Sequence, residues 1–204
     1  MNNEIDIVVA KEIMGDNFLG PDELSLFGLK KFNVDKAGKT VPFSAEELIK
    51  RRKNYLLVYA ASSFADGTPV TIRHLKELIS KQNTRPSFYN QDWYDKEEFI
   101  DVQLDEGWFF IRKEVYEESR AVSPDVLSEN YTFPSAIRCT YSFFVAWICL
   151  NMKLWYEDFV WCSDVDHNGD RIYVGKYHDV DGINNDGFSI HRHLALRKCY
   201  TCID

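Results

Sequence analysis

Three short stretches carry residue types that can do chemistry. In Asp164-Val-Asp166-His-Asn168-Gly169-Asp170, side-chain oxygens and a glycine follow the opening spacing of a calcium loop. Such a loop closes on a bidentate glutamate at its twelfth position, and here that position is Gly175. Asn168-Gly169 is also a strong hairpin pair, because both residues tolerate positive φ. A plain hairpin turn is therefore the favoured expectation. A divalent ion held by Asp164, Asp166, Asn168 and Asp170 is the alternative.

The second stretch is His191-Arg192-His193. On a strand, alternate side chains share a face, so the two imidazoles are expected side by side, as in some transition-metal sites. His178, Asp179 or Asp181 would have to supply a third ligand. The plainer expectation is a polar strand face whose histidines hydrogen-bond to neighbours. The third stretch is Cys199-x-x-Cys202. Zinc would need two more ligands there, and a redox pair normally opens a helix after a strand. Cys162 would join them only across adjacent strands, so packing thiols are favoured. The sequence holds no nucleophile elbow, phosphate loop or dinucleotide fingerprint.

The elements that must position these residues are legible from periodicity and capping. Pro21 and two acids open a short helix that Gly28 can stop. Ser44 and Glu47 have capping-box spacing, and Thr71 precedes Ile72, Leu75, Leu78 and Ile79 on one helical face. Residues 55–60 and 107–115 read as strands. Ser135 can cap a helix in which Ile137, Tyr141, Phe144, Val145 and Ile148 form one stripe. Phe143 and Trp147 make its other face apolar too, so burial nearly all round is expected. DFVWCSDV and RIYVGKY read as strands about a turn. In FSIHRHLALR, alternation sets Phe188, Ile190, Leu194 and Leu196 against Ser189, His191, His193 and Arg197. Arg192 then falls on the apolar face and needs a partner or an edge. FYNQDWYDKEEFI suits an ordered loop or short helix with docked rings, and its acids Asp92, Asp95, Glu97 and Glu98 read as a solvated face.

Composition bounds the function. The 204 residues suffice for one sizeable domain or two small ones, and 15% aromatic residues supply both core and contact area. A formal net charge of -8 gives no electrostatic footprint for nucleic-acid phosphates. Lys50-Arg51-Arg52-Lys53 reads instead as the end of a helix. The apolar run 143–150 is too short to span a bilayer, the N-terminal stretch lacks a signal pattern, and five scattered cysteines suit reduced thiols. A cytoplasmic protein is expected.

Several stretches together resemble a known family. NFLGPDEL, PFSAEEL, WY followed by GWFFIRKEV and ESR, then FPSAIRCTY, CSDVDHNGDRIYVGKY and LALRK are similar in order to a family of largely uncharacterised bacterial proteins. The C-terminal half of that family looks like a C-type-lectin-type domain. It is related to formylglycine-generating (sulfatase-modifying) enzymes and to the variable ligand-binding proteins of diversity-generating retroelements. The resemblance implies a binding surface near the C-terminal strands, here the Asp181–Asp186 loop and the polar face of 189–197. Histidines stand in that closing segment where small or aromatic display residues would be expected.

The expected architecture is α+β. A small N-terminal α/β module (1–105) packs on a C-type-lectin-like domain (106–204) with a small antiparallel sheet and a buried helix. The expected function is non-enzymatic recognition of a protein partner or a small molecule through Asn184, Asn185, His191, His193 and Arg197. Tyr173 and Tyr177 would add apolar area. Neither nucleic acid nor membrane is expected as a partner, and no cofactor beyond the calcium or transition-metal alternatives. Two rivals are a metal-dependent oxidase or hydrolase centred on His191 and His193, and an acidic accessory subunit or inhibitor of a basic partner.

Overall fold

Ser44, Thr71 and Ser135 each sit in extended backbone and accept a hydrogen bond from the amide three residues on, and a helix begins after each. The structure, a computed structural model, describes residues 4–82, 85–177, 187–192 and 196–204. In chain order its elements are β1 (Ile5–Asp6), α1 (Ile7–Met14), β2 (Phe18–Leu19), α2 (Pro21–Leu24), β3 (Thr40–Val41), α3 (Ala45–Arg51), β4 (Tyr55–Ala60) and α4 (Ile72–Ser80). There follow β5 (Gly107–Arg112), α5 (Pro124–Leu127), α6 (Ala136–Leu150), β6 (Phe159–Val165), β7 (Arg171–Gly175), β8 (Ser189–Arg192) and β9 (Tyr200–Thr201). The architecture is α+β with small sheets, ordered β1-β3, β2-β4-β5 and β8-β7-β6-β9.

α6 is the hub. Its buried residues run through every helical position from Thr140 to Ala146, as its all-round apolar sequence requires. Tyr141 donates to the carbonyl of Tyr59 on β4 at 3.0 Å, tying the helix to the first sheet. Phe143 and Phe144 meet Phe188 at ring-centroid distances of 4.6 and 5.4 Å. Burying each such ring contributes about 2–3 kcal/mol. One continuous core contains Leu24, Val58 and Ile72 from the first half of the chain and Phe143, Val174 and Ile190 from the second. β5 pairs antiparallel with β4 from Tyr55↔Arg112 to Ala60↔Gly107, so the halves also share a sheet.

The C-terminal sheet has two apolar faces. Val160, Cys162, Ile172, Val174 and Ile190 belong to the core around α6. Phe159, Trp161, Tyr173 and Tyr200 form a second cluster with Leu127 and Phe133. β6, β7 and β8 are antiparallel neighbours, but β9 runs parallel to β6. The sheet is thus mixed rather than wholly antiparallel, since a two-residue strand carries no alternation that a sequence reading can detect.

Candidate functional site

The β6–β7 hairpin forms as the Asn168-Gly169 pair predicts, with Gly169 at φ +85°. Asp166 organises the turn: its Oδ1 accepts from the amides of Asn168 (2.8 Å) and Asp170 (2.9 Å). Its Oδ2 accepts from Arg192 Nη1 at 2.9 Å, which is the partner that Arg192 requires on an otherwise apolar face. Arg192 also lies over the Trp93 ring, 5.1 Å from its centroid. Hydrogen bonds from Arg192 and from two amides hold the Asp166 carboxyl below the usual range against the opposing cost of burial.

Asp164 goes elsewhere. The register of β6 shifts between Trp161 and Val165, and this bulge turns Asp164 toward the start of α6. There its Oδ2 accepts from the amide of Ala136 at 2.6 Å, a second cap beside Ser135. Burial raises the Asp164 carboxyl pKa, opposed by that amide. Asp164 and Asp166 are therefore committed to different places, and a calcium loop here would need Asp164 to leave the helix terminus.

β8 is flanked by the segment 87–93. The amide of Tyr89 donates to the carbonyl of Phe188 (2.9 Å), and the amide of Phe188 to that of Ser87 (2.8 Å). Further along, side chains take over the ladder. Gln91 Oε1 accepts from Ile190 N at 3.2 Å, and Trp93 Nε1 donates to Ile190 O at 3.0 Å. An amide and an indole thus occupy the edge positions that another strand would use. With its oxygen fixed on Ile190, Gln91 turns its NH2 toward His191 Nε2, 3.1 Å away.

His191 is consequently an acceptor, and a neutral one. Its ring stacks on Tyr173 (centroids 5.7 Å apart) and meets Phe159 edge-on. Burial, aided by the nearby Lys176 charge, pushes its pKa down to about 4. An unfolded histidine titrates near 6.5, so between about pH 6.5 and 4 the unfolded chain binds the extra proton. Stability should fall by about 2–3 kcal/mol as pH drops through that window and be unaffected by this residue above it. Urea melts of wild type and His191→Gln check this. The variant should lose that part of the pH dependence, and identical profiles would overturn the buried-neutral assignment.

Of the other expected contact residues, Tyr173 (3% exposed) and Tyr177 (1%) lie within the cores rather than at the surface. Their rings pack on Trp161 and Tyr200, and on Phe143 and Trp147, because both sheet faces are covered. Arg197 is exposed just before β9, at the opposite end of the strand order from β8. Asn184, Asn185 and His193 lie outside the described residues, as do His178, Asp179 and Asp181. Cys199 and Cys202 are free thiols, raised by burial, Cys202 to about 11. Such thiols stay protonated and suit packing.

Two features escaped the sequence reading. The first is a cleft of about 470 Å³ between the end of α4 and the docked segment, lined by Lys76, Gln82, Arg85, Ser87, Tyr89 and Asn90 among others. Its size suits a small ligand. The second is Glu97, expected in a solvated acidic face but only 7% exposed. It accepts from the backbone amide of His167 at 3.0 Å through Oε2, and its Oε1 lies 2.6 Å from His167 Nδ1. No periodicity marks Glu97 as buried, since a turn and a short 3-10 segment (Glu98–Asp101) carry it.

No family model matches the chain, and neither a curated protein nor a solved structure matches it. Among the described residues, no helix is long and apolar enough to cross a membrane.

Proposed function

We propose that this protein is a non-enzymatic recognition module whose C-terminal half is organised like a C-type lectin domain. Its binding surface is the cleft beside β8, with Gln82, Arg85, Tyr89 and Asn90 facing the ligand or partner. Asn184 and Asn185, in the 178–186 connection, lie outside the described residues. One observation carries the reading. The amide of Gly187 donates to the carbonyl of Tyr177 at 2.8 Å, so both ends of that connection meet beside the cleft wall. A Cβ on Gly187 would lie 2.6 Å from the amide nitrogen of Tyr89, which shows how closely the wall and the connection abut. Binding loops mounted on a rigid scaffold lose little freedom when they engage.

The chemistry of the cleft favours a polar ligand bearing a carboxylate or amides. Arg85 offers a planar cation, Gln82 and Asn90 donors and acceptors, and Tyr89 apolar area with a polar tip. Lys76 already holds Asp95 (2.8 Å) and the Gln91 carbonyl, so it stiffens the wall. Helix α6 packed on the antiparallel β6–β8 strands supports the lectin-like organisation, and five free thiols support a reducing, cytoplasmic setting. Partners recovered from native lysate at low and high salt should be titrated against wild type and the Arg85→Ala/Asn90→Ala variant. Weakening by about tenfold or more, the scale of one or two interface contacts, supports the cleft. An unchanged affinity sinks it, and binding lost to moderate salt alone would favour the acidic accessory-subunit reading.

A further inference from the structure

We propose that Glu97, Asp166 and His167 bind a divalent transition-metal ion that clamps the 93–101 segment to the β6–β7 hairpin. Among the described residues, these are the metal-ligating side chains that gather, their ligand atoms all within 4.8 Å of one another. Two ligands on bonds of about 2 Å lie at most about 4 Å apart, so the cluster must close around an ion. The three come from segments some 70 residues apart, so the cluster is a tertiary product.

Burial of the two acids makes the cluster receptive to a cation. Glu97 and Asp166 are 7% and 5% exposed, and ionised carboxylates at such depth need opposite charge. Arg192 answers Asp166 from one side at 2.9 Å. Among the described residues, Glu97 accepts two hydrogen bonds, both from His167. A carboxylate can accept about four, so acceptor capacity remains on both acids beside the imidazole.

The imidazole selects the class of ion. Calcium and magnesium prefer all-oxygen shells, whereas one histidine with two carboxylates suits the manganese-to-zinc series, with water in the open positions. His167 Nδ1 donates to Glu97 as the structure stands, because an ionised carboxylate can only accept. On metal binding that proton moves to Nε2, the ring stays neutral, and Nδ1 becomes the ligand. The His167 side chain is 66% exposed, so the ring can move toward the ion without moving the core. Neither the calcium-loop set nor the His191-x-His193 pair is used, apart from Asp166.

Cobalt(II) added to the metal-stripped full chain tests this, read by its visible d–d absorption and by calorimetry. One equivalent should bind, and a large excess of calcium should not displace it. His167→Ala, whose exposed ring leaves the core intact, should weaken binding by about tenfold or more. His191→Gln should bind like wild type. Thermal melts without metal confirm that both variants fold. A wild type with no saturable cobalt signal would overturn the proposal, as would unchanged affinity in His167→Ala or loss of binding in His191→Gln.

Discussion

Replacing Gly175 with alanine is expected to destabilise the protein by about 3–5 kcal/mol, combining backbone strain with overpacking. Gly175 sits at φ +120°, a conformation side-chain-bearing residues rarely adopt, at the end of β7 opposite Phe159. A Cβ there would lie 2.6 Å from the carbonyl oxygen of Asp158, which accepts from the amide of Lys176 at 2.7 Å. The obstacle is backbone, so no rotamer relieves it. Guanidinium unfolding of Gly175→Ala measures the cost, and a loss below about 1 kcal/mol would show that β7 can shift and that its register is not held as described. The same geometry explains the departure from the calcium-loop pattern. Where that pattern asks for glutamate, this hairpin tolerates no side chain at all.

The second large effect is local. Gly187→Ala would bring a Cβ to 2.6 Å from Tyr89 N and 2.7 Å from Tyr89 Cα, forcing the 87–89 segment off β8. Overpacking of this kind costs about 1–3 kcal/mol, and the lost pairing at Tyr89 and Phe188 adds to it. Hydrogen exchange should report about 100-fold faster opening at the Tyr89 and Phe188 amides, with Leu57 on β4 much less affected. If the segment detaches, the cleft loses one wall, and affinity for any partner bound there should fall with it. Protection unchanged at Tyr89 would mean that the segment is held by its rings alone. Phe88, 4.6 Å from Phe144 by ring centroids, is the contact that would then suffice.

Much of this fold could be read from local chemistry. Ser44, Thr71 and Ser135 announce helices because a cap is a bond between residues three apart. The strand 55–60 and the buried helix 136–150 follow from apolar runs whose periods match one geometry each. The need of Arg192 for a partner was also visible, since a charge at an apolar position must be answered. Its partner was not, because nothing local links Arg192 to Asp166. The candidate site was less legible. Tyr173 alternates correctly on β7, yet alternation cannot say whether its face meets solvent or a second cluster of rings, and Tyr177 lies past the strand's end in the core around α6.

What the sequence by itself determined is therefore the capped helices after Ser44, Thr71 and Ser135, the strands that begin at Tyr55 and Gly107, and the hairpin at Asn168-Gly169. These depend on contacts within a few residues. Tertiary structure alone decided the roles of Asp164, Glu97 and Gln91. A β-bulge aims the first at α6, the second reaches His167 across 70 residues, and the third closes the edge of β8 across 99. The physical reason is common to all three. A polar side chain that is buried must find its partner wherever the packed chain brings one, and short-range spacing carries no record of that place.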